Sequence, residues 1–172
     1  AYLPTNHFPE DVVNVRASAS MPAVSRVVEI DGHRYLDGGT TDAIPFGAAL
    51  GLEGEPEIEG YEPARRALVV VTQDRGYVKS GNSEGIAIRS HRYDGYPYYL
   101  EALRTRGERY NAQRARLWEH EAAGDCLVIA PEKPAEVKDN EHVGAPLLDL
   151  YLQGRRQTEA RLDEVRAFMA GD

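Results

Sequence analysis

Asp37-Gly38-Gly39 is the stretch of this 172-residue chain best suited to chemistry. A carboxylate can take a proton from a hydroxyl group, and two glycines without Cβ atoms let another backbone or a substrate come close to it. The same three residues also suit a turn in which Asp37 bonds the backbone of Gly39 or Thr40. Spacing alone leaves both roles open. Gly81-Asn82-Ser83-Glu84-Gly85 formally matches Gly-x-Ser-x-Gly. A nucleophile elbow of that form needs a strand directly before the serine and a helix directly after it. Here the nearest strand-like run ends at Thr72, and Lys79 to Asn82 has loop composition. Ser83 is therefore rejected as nucleophile: its segment is expected to be loop, with no helix starting at Glu84 and no contact with Asp37. Ser18 and Ser20 read as helix-capping and turn-bonding residues. Cys126 sits in an apolar run and reads as core. His7, His33, His91, His120 and His142 are scattered without metal-ligand spacing, so no metal site is expected.

The elements around Asp37 follow from local pattern. Val27 to Ile30 and His33 to Leu36 read as two strands joined at Asp31-Gly32, because Asp and Gly tolerate the positive φ of a two-residue hairpin turn. Asp37 then lies just past a strand end. Asp11 to Ala17 reads as a short helix, and Phe46 to Leu50 as another with Pro45 at its start. Residues 51–66 are rich in Gly, Pro and Glu and read as a surface loop. Ala67 to Thr72 and Cys126 to Ala130 are continuous apolar runs, expected to be strands buried on both faces. Residues 73–92 read as loop. Tyr93 to Tyr99 is aromatic around Gly95 and Pro97, which suits a packed loop or a lipid-contacting rim. Tyr98 to Ala123 is expected to form one long helix, with Leu103, Tyr110 and Leu117 on one face, Gly107 weakening its middle and Gly124 ending it. Pro146 to Leu152 reads as a short helix ended by Gly154. Arg156 to Ala170 follows as the last helix, with Leu162, Val165 and Met169 as a buried stripe. The class is α/β, with too few strands for a whole doubly wound domain.

Composition narrows the function. A formal net charge of −8 argues against a general nucleic-acid binder. No apolar run reaches the roughly 20 residues a membrane span requires, and no signal peptide is evident. A single cysteine excludes an internal disulfide and fits a reducing compartment, so a cytoplasmic location is expected, with peripheral membrane contact left open.

The ordered set Ala17-Ser18-Ala19-Ser20-Met21-Pro22, Ile30-Asp31-Gly32, Tyr35-Leu36-Asp37-Gly38-Gly39 and Ile44-Pro45 resembles the patatin-like phospholipase family, in its bacterial single-domain branch. Val69-Val70-Val71-Thr72, Gly76-Tyr77-Val78-Lys79, Arg109-Tyr110-Asn111 and Ala130-Pro131 continue the resemblance. It implies that Asp37, supported by Gly38 and Gly39, is the partner of a nucleophilic serine in a Ser–Asp dyad that hydrolyses lipid or other carboxylic esters without a cofactor. Family members carry a glycine-rich oxyanion loop and a Gly-x-Ser-x-Gly elbow upstream of the Ala-Ser-x-Ser-x-Pro segment. The residues before Ala17 contain neither. The expectation is that residues 1–172 are the C-terminal portion of one patatin-like catalytic domain, a partial three-layer α/β/α fold without its N-terminal strands and helices. Its nucleophile would come from the missing N-terminal portion, and the chain alone would be inactive. A non-catalytic interaction module with this fold and a small esterase using Ser83 are the alternatives.

Overall fold

The computed structural model describes residues 1–3, 5–81, 84–137 and 141–171. Ser83 lies outside the described residues. The chain packs as two compact units, Ala1–Pro45 with Lys79–Ala115 and Phe46–Val78 with Arg116–Asp172. Each mixes helices with a small two-stranded sheet.

In the first unit, α1 (Val12–Ser18) packs against β1 (Val28–Ile30). β1 pairs antiparallel with β2 (His33–Tyr35), with Val28 opposite Tyr35 and Ile30 opposite His33. Asp31 and Gly32 take φ of +51° and +76°, the two left-handed conformations that a tight hairpin turn needs. A single 3₁₀ turn, Gly38–Thr40, follows Asp37. The unit is completed by α3 (Gly85–Arg89), α4 (Pro97–Arg104) and residues 106–115 of α5 (Arg106–Ala123). Ala87, Tyr93 and Leu103 form a buried cluster, covered by Ala23, Leu36, Ile88, Tyr99 and Leu100. Tyr93 holds this cluster to the segment before β1, because its hydroxyl accepts the Ala23 N–H at 2.8 Å.

In the second unit, β3 (Ala67–Val70) and β4 (Cys126–Ile129) run parallel, from Ala67 opposite Cys126 to Val70 opposite Ile129. α2 (Phe46–Leu50) packs against β3, and α6 (Gly144–Ala160) and α7 (Leu162–Ala170) complete the unit. Phe46 meets the His120 ring edge-on at 5.6 Å.

Several expectations change. β4 is buried at every position, but β3 buries only Val69 well, and Leu68 and Val70 are 39% and 70% exposed. One face of β3 is therefore open, although its composition suits cover on both. The stretch expected to be loop from residue 73 to 92 contains α3, which begins at Gly85 with Glu84 as its N-cap residue, so the expectation of no helix starting at Glu84 fails. The long helix divides at Thr105, whose hydroxyl bonds back to the Glu101 carbonyl at 2.8 Å. Back-bonding of this kind competes with regular helical geometry. Gly154 does not end a helix. α6 runs through it, since one exposed glycine costs only about 1 kcal/mol, and the break comes at Arg161. α6 and α7 bury no residue fully, and Met169 is 65% exposed, so the expected buried stripe is half open.

Candidate active site

The hairpin fixes where Asp37 emerges. β2 ends at Tyr35, and Leu36 packs onto the Ala87–Tyr93–Leu103 cluster. The Asp37 N–H then donates to the Ser20 carbonyl at 2.8 Å, tying the motif to the end of the α1 segment. Ser20 itself is buried and donates its hydroxyl to the Arg16 carbonyl at 2.7 Å, so it serves structure, as expected. Asp37 is partly exposed. Its Oδ1 accepts the Gly39 N–H at 2.7 Å and caps the 3₁₀ turn. Among the described residues, Oδ2 has no hydrogen-bond partner. Gly38 is exposed, with open space where a Cβ would stand, while a Cβ at Gly39 would lie 3.1 Å from Asp37 Oδ1. The carboxylate is thus oriented through one oxygen and open at the other.

The chain after Asp37 is held by the first turns of α5. Arg106 Nε donates to the Gly39 carbonyl at 2.9 Å, and its Nη1 pairs with Glu84. Arg109 donates from Nη2 to the Thr40 carbonyl at 2.9 Å and from Nη1 to the Thr41 carbonyl. Its remaining donors engage the Ala102 carbonyl at 2.6 Å and Thr105 Oγ1 at 3.1 Å, which fixes the guanidinium. Gln113 accepts the Ile44 N–H at 3.0 Å and donates to Asp42. A second row on the same helix holds the loop at residue 79: Asn111 accepts the Lys79 N–H at 2.8 Å and donates to its carbonyl at 3.0 Å. Gly107 lets that loop approach, because a Cβ there would be 2.9 Å from the Ser80 carbonyl oxygen.

Beside the motif, Thr40 is buried, and its hydroxyl lies near the half-buried Tyr99 phenol. Burial pushes the Tyr99 phenol up from its ordinary value; the Thr40 hydroxyl works against this, and nearby Tyr93, Glu84 and Asp37 add to the rise. Tyr99 stacks edge-on against Tyr93 at 5.1 Å, while Tyr98 is 93% exposed. The aromatic stretch is therefore part core and part surface. A cleft of about 330 Å³ opens next to Gly38, lined largely by apolar residues including Leu3, Val15, Ala17 and Leu36. Asp37 is not among its lining residues.

The other candidates separate from this site. Cys126 is 2% exposed, and burial, with Asp125 and Glu121 nearby, pushes its thiol up to about 11. A protonated core thiol is a poor nucleophile. His120 and His91 meet single carboxylates, Asp125 at 2.8 Å and Asp94 at 3.1 Å. Among the described residues, no group of three or more His, Cys, Asp or Glu is arranged to hold a metal ion. A second cleft, of about 390 Å³, lies at the C-terminal ends of β3 and β4. Its two cations are already engaged, Arg75 by Glu121 at 2.7 Å and Arg161 by Glu164.

Arg106 and Gln113 were not legible as site residues from motif spacing, and Arg109 stood only within Arg109-Tyr110-Asn111, with no role attached. One signal was present. Arg106 and Gln113 fall between Leu103, Tyr110 and Leu117, on the helical face expected to be buried, and polar groups on a buried face require partners.

Two family models match the chain. Residues 5–50 match the patatin-like phospholipase family, and residues 96–170 match a domain of unknown function (DUF6363). The first match takes in Asp37, Gly38 and Gly39. The second takes in Arg106, Arg109 and Gln113. No curated protein and no solved structure matches the chain. No helix among the described residues is long and apolar enough to cross a membrane.

Proposed function

We propose that this chain carries the aspartate base of a patatin-like serine acyl hydrolase acting on lipid or other carboxylic esters. The observation that carries this reading is the asymmetry of Asp37: Oδ1 is held by the Gly39 N–H, and Oδ2, beside the exposed Gly38, has no hydrogen-bond partner among the described residues. The phospholipase-family match over residues 5–50 supports it. In the proposed reaction Asp37 takes the proton of a serine hydroxyl as the serine oxygen attacks the ester carbonyl. The proton then passes to the departing alcohol. Water repeats the sequence: its proton goes to Asp37, its oxygen bonds the acyl carbon, and the serine oxygen leaves and recovers the proton. Backbone N–H groups hold the negatively charged oxygen in both halves.

The serine and the oxyanion loop are assigned to a portion upstream of residue 1, which would complete a three-layer α/β/α catalytic domain. Residues 1–172 would then be the C-terminal portion of that domain, cytoplasmic, touching a membrane at most peripherally through its substrate. Ser83 is not assigned the nucleophile's role, because β3 ends at Val70, well before it. One observation favours a non-catalytic module instead: the Gly39 bond to Asp37 is all that a turn aspartate requires.

The test is p-nitrophenyl ester turnover by the 172-residue chain, alone and mixed with the upstream portion of its reading frame. Loss of even one oxyanion donor costs about a hundredfold or more, so the chain alone is expected to show background only. Activity should appear on mixing and vanish with Asp37→Asn. Turnover by the chain alone that Ser83→Ala abolishes would establish the small-esterase alternative. Activity on mixing that survives Asp37→Asn would leave the non-catalytic reading of Asp37.

A further inference from the structure

The segment matching the domain of unknown function reaches back to the segment matching the phospholipase family, and it does so at the aspartate loop. We infer that Arg109, with Arg106 and Gln113 beside it, is a positioning residue for Asp37, and that this part of the unknown-function match serves as the frame of the hydrolase site. The inference rests on the reading of Asp37 as the base.

The contacts share one character. Arg106 and Arg109 donate to three consecutive carbonyls, those of Gly39, Thr40 and Thr41, and Gln113 takes the N–H of Ile44. Four of the six residues from 39 to 44 are thus gripped through their main chain, directly after the motif. Gly39 is gripped on both of its peptide units. Its N–H orients the Asp37 carboxylate, and its carbonyl is fixed by Arg106. Any drift of this residue shifts the partner of Oδ1, and Oδ2 moves with it.

Arg109 can act as a fixed jig because its own position is set independently. The Ala102 carbonyl and Thr105 Oγ1, at the junction of α4 and α5, hold the guanidinium in plane while it reaches the loop. The Thr105 hydroxyl works in both directions at this junction, donating to the Glu101 carbonyl and accepting from Arg109 Nε. A planar fork with several donors can do this. A lysine, with one nitrogen, can satisfy part of the set at most. Arg106 has its own anchor in Glu84, a largely buried ion pair with side chains 24% and 11% exposed.

Arg109→Lys tests the frame by two independent readouts. In the 172-residue chain, amide hydrogen exchange at Gly39, Thr40 and Thr41 should accelerate by about tenfold or more, while exchange at Glu29 and Ile30 in the hairpin stays unchanged. In the reconstituted enzyme, kcat on p-nitrophenyl ester should fall roughly ten- to a hundredfold with KM unchanged, the size expected for a misplaced catalytic group. Added guanidinium ion should restore part of the kcat of an Arg109→Ala variant. Unchanged exchange at residues 39–41 would overturn the inference. So would faster exchange with unchanged kcat in an enzyme that Asp37→Asn still inactivates; the base would then stand and its frame would not. Full activity in Asp37→Asn would remove the base and the positioning role together. Where Arg109→Lys does not fold, Arg106→Lys carries the same test, with exchange at Gly39 and Thr40 as its readout.

Discussion

Asp37 caps its turn and is proposed as the base, and substitution can separate the two roles. Asparagine keeps an oxygen to accept the Gly39 N–H, so Asp37→Asn should unfold within about 0.5 kcal/mol of the parent chain. Alanine loses the cap and should cost about 1 kcal/mol. Urea unfolding of both variants checks this, and a large loss in the asparagine variant would mean that the charge itself supports the fold. Cys126 gives a second residue-scale expectation. Its buried thiol is held up to about 11, against an ordinary value of 9.0 that it regains on unfolding. Below pH 9 both states are protonated and the thiol adds no pH dependence. Between pH 9 and about 11 only the unfolded chain ionises, so stability should fall across that window as pH rises. Part of that fall should be missing in Cys126→Ala, measured as urea midpoints at pH 8 and pH 10.5.

Two helix glycines, Gly107 and Gly154, separate propensity from packing. Both sit inside helices, where alanine is intrinsically better by about 1 kcal/mol. At Gly154 a Cβ would meet open space, so Gly154→Ala should stabilise the chain by about 0.5–1 kcal/mol. At Gly107 a Cβ would meet the Ser80 carbonyl oxygen at 2.9 Å and the Gly81 Cα at 3.1 Å. Gly107→Ala should therefore destabilise by about 1–2 kcal/mol despite its better propensity. Thermal unfolding of the pair decides it, and equal shifts would refute the packing account. The same contrast explains what could be seen before the fold was in hand. The hairpin turn was legible because Asp31-Gly32 encodes its own φ angles, and α2 because Pro45 and the apolar run after it are local signals. Gly107 read only as a weak point, and Gly154 as a stop, because the loop that meets one and the space around the other are not local. The Thr105 break likewise depends on Arg109 and on a back-bond that spacing does not announce.

Among the described residues of the second unit, apolar surface is left open on β3 and along α6. Val70 is 70% exposed on β3, and Leu147, Leu148, Tyr151 and Leu152 are exposed along α6, while Gln153 and Gln157 lie on its more covered side. Parallel strands are normally covered on both faces, and a helix that turns leucines outward is costly in water. The isolated 172-residue chain should therefore self-associate at micromolar concentration, to be read by sedimentation velocity as a mass above 19.1 kDa. Leu148→Glu with Tyr151→Glu should restore the monomer. The motif residues were legible at this scale only as an ordered set along the chain. That residues 106–113 return to residue 39 was not, because nothing in the spacing of Arg106, Arg109 and Gln113 names the partner they meet.

The grip on residues 39 to 41 is made through carbonyl oxygens, which every amino acid supplies. The Arg109 grip is thus independent of the side chain at the exposed Thr41, which itself adds only a 3.2 Å hydroxyl bond to the Gly38 carbonyl, whereas Arg109 has no substitute with the same fork. In a saturation library selected for hydrolase activity, position 41 should accept most residues and position 109 almost none. The two positions should also vary independently, although they touch.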